Sequence, residues 1–212
     1  MGYSLETIFF RENTCIELID KGLNACYEVS AKLFDRISIR SGSEEVLAIV
    51  KTINHDLENL DVNLESKILV LESPEKPGNI GPLLRTAAAA GMDAVIIANP
   101  KTDLYHPHII RNSLGGVFSI PVVMETSDKV ISFLKKNNFN IIVAALVNKA
   151  KHYKRAKYEK PFALIFGSEE KGLSNIWIKK ANQVVQIPVK FPIDSLNLSV
   201  SAGVLIYHCI EY

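Results

Sequence analysis

An α/β fold with a parallel sheet, preceded by a small α/β unit, is predicted by three observations. Apolar runs of strand length recur from residue 67 onwards. Stretches with helical patterning alternate with several of them. A polar, acidic stretch, Asn54–Ser66, separates this alternation from a differently patterned start. Strands alternating with helices imply parallel pairing, because each crossover helix is laid against the sheet and both faces become covered. The 212 residues are 48% hydrophobic and 22% charged, which bounds the chain to one large domain or a medium domain with a small one. Disordered, collagen-like and low-complexity classes are excluded.

In chain order, LETIFF reads as a strand, CIELIDKGLNA as a short helix, YEVS as an edge strand and AKLFDRIS as a second helix. Residues 1–58 form the first expected domain and 59–212 the second, with Asn54–Ser66 as linker. KILVLES, DAVIIAN, GVFSIPVV, NIIVAAL, FALIFG and VVQIPV read as buried strands, and NIGPLLRTAAAAG, SDKVISFLKKNNF and SNIWIKKAN as helices between them. The final SLNLSVSAGVLIYHCIEY is apolar nearly all round, the signature of a buried helix.

Charge and motif content narrow the chemistry. Lys and Arg number 24 against 23 Asp and Glu, so an acidic polymer would have to meet a local patch, not a general basic coat. No apolar run approaches the roughly 20 residues of a membrane span. The start has no basic region followed by an apolar one, so no signal peptide is expected. Cys15, Cys26 and Cys209 have no metal-site spacing, and a reduced, cytoplasmic setting fits them. His106 and His108 flank Pro107 without a third ligand, so no metal is expected. No G-x-G-x-x-G occurs, which argues against a common dinucleotide loop. Gly167 to Gly172 has P-loop spacing, but Leu173 stands where the Lys is needed. Glu169 and Glu170 would also face the phosphates.

Three segments hold polar residues that plain loops would not need. In Pro77-Gly78-Asn79-Ile80-Gly81-Pro82-Leu83-Leu84-Arg85-Thr86, Asn79 reads as a helix cap and Arg85 lies within the next two turns. The second segment is Gly167-Ser168-Glu169-Glu170-Lys171-Gly172-Leu173. The third runs from Ile187-Pro188 to Ser195-Leu196-Asn197-Leu198-Ser199, with Ser195 as a cap and Asn197 in the first turn of the last helix.

Together and in this order, the three segments resemble the motifs of the SpoU-type (TrmH-like) RNA ribose methyltransferases of the SPOUT superfamily. Those motifs are N-x-G-x-x-x-R-T, G-x-E-x-x-G-L and I-P-x(6)-S-L-N-x-S. The resemblance covers residues 66–212 and is carried by the ordered triple, since each motif alone is weak. It implies a trefoil-knotted α/β domain, a homodimer, S-adenosylmethionine as cofactor and methylation of a ribose 2′-hydroxyl in RNA, with ribosomal RNA favoured over transfer RNA. By the same resemblance Gly167, Ile187 and Leu196 line the cofactor site, and Asn79, Arg85, Glu169, Ser195 and Asn197 form the catalytic cluster. The chemistry agrees: a ribose hydroxyl is a poor nucleophile, so the site must align it with the methyl donor and favour the alkoxide. Arg85 suits a grip on RNA phosphate and developing negative charge better than it suits a base, since its pKa exceeds ~12. Glu169 would orient Asn79 and Arg85.

Further features point to substrate and assembly. Lys149 to Lys160 holds six basic residues and two Tyr, and Lys154 and Arg155 are candidate RNA backbone contacts, against a merely solvated basic loop. Arg111-Asn112-Ser113-Leu114-Gly115-Gly116 resembles a family stretch, often R-x-S-x-G. Arg111 and Ser113 there either approach substrate or belong to a segment whose glycines permit a tight start to a strand. The first 58 residues resemble, more loosely, the second half of the small substrate-binding domain of such enzymes. The opening of that domain has no counterpart, as in a naturally short member or a truncated form. A homodimer through Ser195–Tyr212 is expected from the apolar excess of that helix, which includes Val204 and Leu205. Beside this stand a non-catalytic RNA-binding or assembly protein on the same fold, a transfer-RNA ribose methyltransferase, and an enzyme methylating a base nitrogen.

Overall fold

The computed structural model describes residues 2–14, 25–39 and 44–210, which fall into two compact units, 1–53 and 54–212. The first unit holds β1 (Leu5–Arg11), β2 (Cys26–Val29), α1 (Ala31–Ile37) and β3 (Val46–Val50). The expected helix over CIELIDKGLNA lies almost wholly outside the described residues. The strands pair in the order β2-β1-β3, with β2 parallel and β3 antiparallel to β1. β3 was not foreseen in the sequence; its side chains are half-buried to exposed on both faces, so they show no clean alternation. Phe34 and Ile8 are buried, whereas Tyr27, Val46, Ile49 and Ile39 are exposed. Ser30 caps α1 by accepting from the Leu33 N–H, and Arg11 clamps the helix through Asp35 at 3.0 Å.

The second unit runs β4 (Lys67–Glu72), α2 (Pro77–Ala89), β5 (Ala94–Ala98), α3 (Pro107–Ser113), β6 (Val122–Glu125), α4 (Ser127–Lys136), β7 (Asn140–Ala144), β8 (Lys151–His152), β9 (Phe162–Phe166), α5 (Asn175–Lys180), β10 (Gln183–Gln186) and α6 (Leu198–Ile210). The sheet order is β6-β5-β4-β9-β7-β10-β8, and every pairing is parallel. Alternate strand residues enter two cores. Leu69, Leu71, Val95, Ile97, Leu164 and Phe166 pack with α2, α3 and α6 on one face. Ile68, Val70, Ile96, Ile141, Val143 and Ile165 pack with Val130, Leu134 and Trp177 of α4 and α5 on the other. Burial on both faces is why these strands read as unbroken apolar runs. The segment read as linker lies against this unit: Leu57, Leu60 and Val62 are partly buried on the second core.

Several expectations are corrected locally. α2 starts at Pro77 with Lys76 at the cap, so Asn79 sits inside the first turn. Proline needs no N–H there and already has helical φ, which frees the Asn79 side chain for other partners. GVFSIPVV is not one strand: Leu114 and Gly115 take left-handed φ of 46° and 89°, residues 116–118 form a short 3-10 turn, and β6 begins only after Pro121. α6 starts at Leu198, and Asn197, not Ser195, caps it. Its Oδ1 accepts from the Ser199 N–H at 2.9 Å and the Val200 N–H at 3.4 Å. α6 is also only half covered in the single chain. Leu198, Ala202, Leu205, Ile206 and Cys209 are buried, while Val200, Val204 and Tyr207 are exposed.

Candidate active site

The C-terminal ends of β7, β9 and β10 open onto a cleft of about 650 Å³, the usual ligand position of a parallel sheet. Its walls come from Ala144–Val147 after β7, Phe166–Leu173 after β9, and Gln186–Val189 with Ser195–Leu198 after β10. Gly167, Ile187, Leu196, Asn79, Glu169, Ser195 and Asn197 all line it. Three sequence segments thus converge on one place.

The loop after β9 is a closed hairpin. Ser168 and Gly172 exchange backbone hydrogen bonds at 3.2 and 3.0 Å, and the Ser168 hydroxyl accepts from the Lys171 N–H. Gly172 turns the chain at φ 64°. A Cβ on Gly167 would lie 2.1 Å from the Gly172 carbonyl carbon, so no other residue fits there without moving backbone. The loop binds itself, which accounts for its glycines without any phosphate.

A directional chain of hydrogen bonds crosses the cleft floor. Asn197 Nδ2 donates to Asn79 Oδ1 at 3.0 Å, and Asn79 Nδ2 donates to Glu169 Oε1. At its other end Asn197 Oδ1 takes the α6 N–H groups and the Ser199 hydroxyl. Each amide is therefore fixed in orientation by its neighbours. Glu169 Oε2 is buried and has no hydrogen-bond partner among the described residues. A buried oxygen left this way costs free energy unless something donates to it.

Arg85 does not join this cluster. It is exposed and does not line the cleft. Six residues beyond Asn79 is ~600° of helical turn, which leaves the two side chains roughly 120° apart. Glu169 accordingly orients Asn79 but not Arg85. The Arg85 backbone is held closely: a Cβ on Gly116 would lie 2.8 Å from Arg85 N and Cα. Gly81 similarly lets α3 approach, since its Cβ would meet Asn112 Cβ at 2.6 Å.

The remaining candidates are apart from the cleft. Ser113 is fully buried and donates its hydroxyl to the Ile110 carbonyl at 2.8 Å, so it anchors the end of α3 and is not presented to a substrate. Arg111 is half-buried in the last turn of the same helix. Lys154 and Arg155 are exposed beside β8, with the Lys154 ammonium 5.9 Å from the Tyr153 ring. His106 caps α3, its Nδ1 accepting from the His108 N–H at 3.2 Å. Among the described residues no group of three or more His, Cys, Asp or Glu could hold a metal ion. Burial pushes the Cys209 thiol well above its ordinary range, so it is an unreactive core residue. Sequence reading missed the cleft wall at Ala144–Val147 and the apolar Ile178, and placed Leu205 at a dimer face instead of the cleft. These present backbone or hydrocarbon and carry no residue-type signal.

Residues 66–207 match the sequence model of the SpoU rRNA Methylase family. The 23S rRNA (guanosine(2553)-2'-O)-methyltransferase RlmP of Bacillus subtilis is 29% identical over 183 residues, 86% of this chain and 71% of that protein. A crystal structure of an RNA 2'-O ribose methyltransferase superposes with a TM-score of 0.85 at 33% identity, covering 99% of this chain and 82% of the other. The SpoU methyltransferase AviRb from Streptomyces viridochromogenes, solved in complex with AdoMet, superposes at 0.88 with 24% identity, covering 99% and 83%. The chain spans 57% to 71% of the length of the curated relatives it matches. By its sequence from Ser66 to Tyr207, and by a fold that gathers three motifs at one cleft, this chain belongs to the SpoU rRNA methylase family.

Proposed function

We propose that the protein is an S-adenosylmethionine-dependent RNA methyltransferase that modifies a ribose 2′-hydroxyl, with ribosomal RNA as substrate. The observation that carries this is the chain in which Asn197 donates to Asn79 and Asn79 to Glu169 Oε1, in a cleft built from the family's motifs, with Glu169 Oε2 left unpartnered among the described residues. The cleft suits the cofactor. Leu173, Ile178, Leu198 and Leu205 offer apolar surface to a base and thioether, and Gly167, Ile187 and Leu196 stand where backbone groups can read polar edges. When bound, the cofactor supplies an already activated methyl group on a sulfonium. Asn79, Asn197 and Ser195 form the polar floor, Glu169 accepts a hydrogen bond from the incoming partner, and Arg85 holds the RNA phosphate and steadies charge developing on the ribose oxygen. Lys154 and Arg155 belong to the RNA contact surface, by charge alone.

The same reading makes the second unit a trefoil knot, with the chain from Ile187 threaded through a loop of the preceding chain. In support, the stretches after β7 and β10 wall one cleft. The first unit serves substrate recognition. The chain acts as a homodimer through the exposed face of α6, where Val200, Val204 and Tyr207 recur at helical spacing. In such a dimer Arg85, which does not line its own cleft, serves RNA at the junction of the two copies. Mapping of RNA by mass from cells with and without the gene tests the activity. Loss of one ribose methyl in 23S or 16S rRNA is expected, and an unchanged ribose methylation pattern overturns the reading.

A further inference from the structure

A buried carboxylate, Glu72, lies outside the three motif segments. Glu72 ends β4 and is 5% exposed. It accepts from the Ser174 N–H at 2.7 Å (on Oε2), from the Ser174 hydroxyl at 2.6 Å and from the Ser127 hydroxyl at 3.2 Å (both on Oε1). The Ser127 oxygen in turn accepts from Asn99 Nδ2 at 2.8 Å and from Trp177 Nε1 at 3.2 Å. With both lone pairs of that oxygen taken, its proton is committed to Glu72. The Glu72 oxygens are therefore acceptors only, and the network has one direction.

Ser174 precedes α5, yet its side chain makes no capping bond to that helix. Its hydroxyl goes to Glu72 instead. This matters for the hairpin Ser168–Gly172, which is closed on itself and joined to the sheet by two stems. One stem leaves β9 at Gly167, a residue with no side chain to lock it. The other is Leu173–Ser174, in which Leu173 packs on the second core and Ser174 is bonded to Glu72 through N–H and hydroxyl. Without that tie the rigid hairpin can pivot on Gly167 and carry Glu169 away from Asn79. Glu72 also stands at the root of the segment that leads from β4 to Asn79.

We infer that Glu72 is a positioning residue for the cleft: through Ser174 it fixes the hairpin that carries Glu169 and so sets the Glu169–Asn79 contact. The cofactor consequence rests on the methyltransferase reading above; the mechanical one does not. The test compares Glu72→Gln and Ser174→Ala with the parent chain by amide hydrogen exchange, by calorimetric titration with S-adenosylhomocysteine and by thermal melting. A lost hydrogen bond to a charged group corresponds to roughly a ten- to hundredfold change in a local opening equilibrium. Exchange at residues 168–174 should accelerate by about that factor, with β4 and β9 still protected and S-adenosylhomocysteine affinity down about tenfold. Ser174→Ala keeps the Ser174 N–H and the Ser127 bond, so it reports on the tie even if Glu72→Gln does not fold. A lowered melting temperature with hairpin exchange and affinity both within about twofold of the parent would make Glu72 a stability residue only and overturn the inference. If the parent itself does not bind S-adenosylhomocysteine, the functional reading fails, and the exchange data alone still decide whether Glu72 holds the hairpin.

Discussion

Two carboxylates, Glu169 within the hairpin after β9 and Glu72 bonded to Ser174 just beyond it, are treated differently by the fold. Glu72 has hydrogen-bond donors on both oxygens, drawn from α4 and from the residue before α5. Glu169 has one oxygen satisfied by Asn79 and the other without a partner among the described residues. A saturated buried carboxylate holds structure together. One that is half satisfied at a cleft wall is arranged to receive something. Burial alone does not separate the two roles; the count of partners does.

Substitutions can break or sharpen this contrast. The largest effect is expected at Arg85, which lies outside both clusters. Arg85→Ala should keep fold and cofactor affinity but lower methyl transfer by ~10²–10³, the usual cost of losing a donor to developing charge. Single-turnover rates on an RNA modified by the parent, with calorimetry alongside, check this, and near-parental turnover would remove Arg85 from the chemistry.

Next comes Glu169→Gln, which keeps the shape and an oxygen for Asn79 but replaces the free acceptor by a donor. Methyl transfer should fall about ten- to hundredfold with the melting temperature unchanged. A stability loss with full activity would mean that the free oxygen receives nothing. The mirror test is Ser127→Ala on the saturated side. It strands the N–H of the fully buried Trp177 and takes one partner from the exposed Asn99 amide, and should cost about 1–3 kcal/mol of unfolding free energy in a denaturant titration.

The smallest expected effect on folding, within ~0.5 kcal/mol, belongs to Val204→Arg on the exposed face of α6. Its effect on assembly is large: light scattering should drop from a dimer near 47 kDa, twice 23.5 kDa, to the single-chain mass. Leu205, which the sequence placed in the same apolar stripe, is fully buried in its own subunit and would report on folding instead.

What the sequence revealed follows from where its signals are physical. Buried parallel strands must be continuous apolar runs, so β4, β5, β7 and β9 are legible from composition. β3 is not, because its side chains are half-buried to exposed on both faces and carry no clean alternation. Asn79 and Ser195 were legible as polar residues at helix starts, but not as non-caps. Lys76, followed by Pro77 in the first turn, and Asn197 take those cap positions, and the outcome depends on the turn geometry of the preceding loop. The motif triple identified most of the cleft. It could not show that Arg85 stands apart from Asn79, since a linear motif does not say which face of a helix a residue occupies until the helix has a start. Ser113 looked like a substrate contact only because a buried hydroxyl bonded to a carbonyl leaves no trace in sequence.

The walls of the cleft are drawn from stretches that include Ala144–Val147, Phe166–Leu173 and Ser195–Leu205, widely spaced along the chain. A nascent chain has most of its parallel sheet once β9 has emerged, but it has no complete cleft until α6 as far as Leu205 has left the exit tunnel. Parallel pairing over such sequence separations is slow to assemble. Ligand capture by ribosome-bound chains of increasing length should therefore switch on late, after residue 205 is free. Cofactor binding would then mark the end of folding for this protein and not a step that guides it.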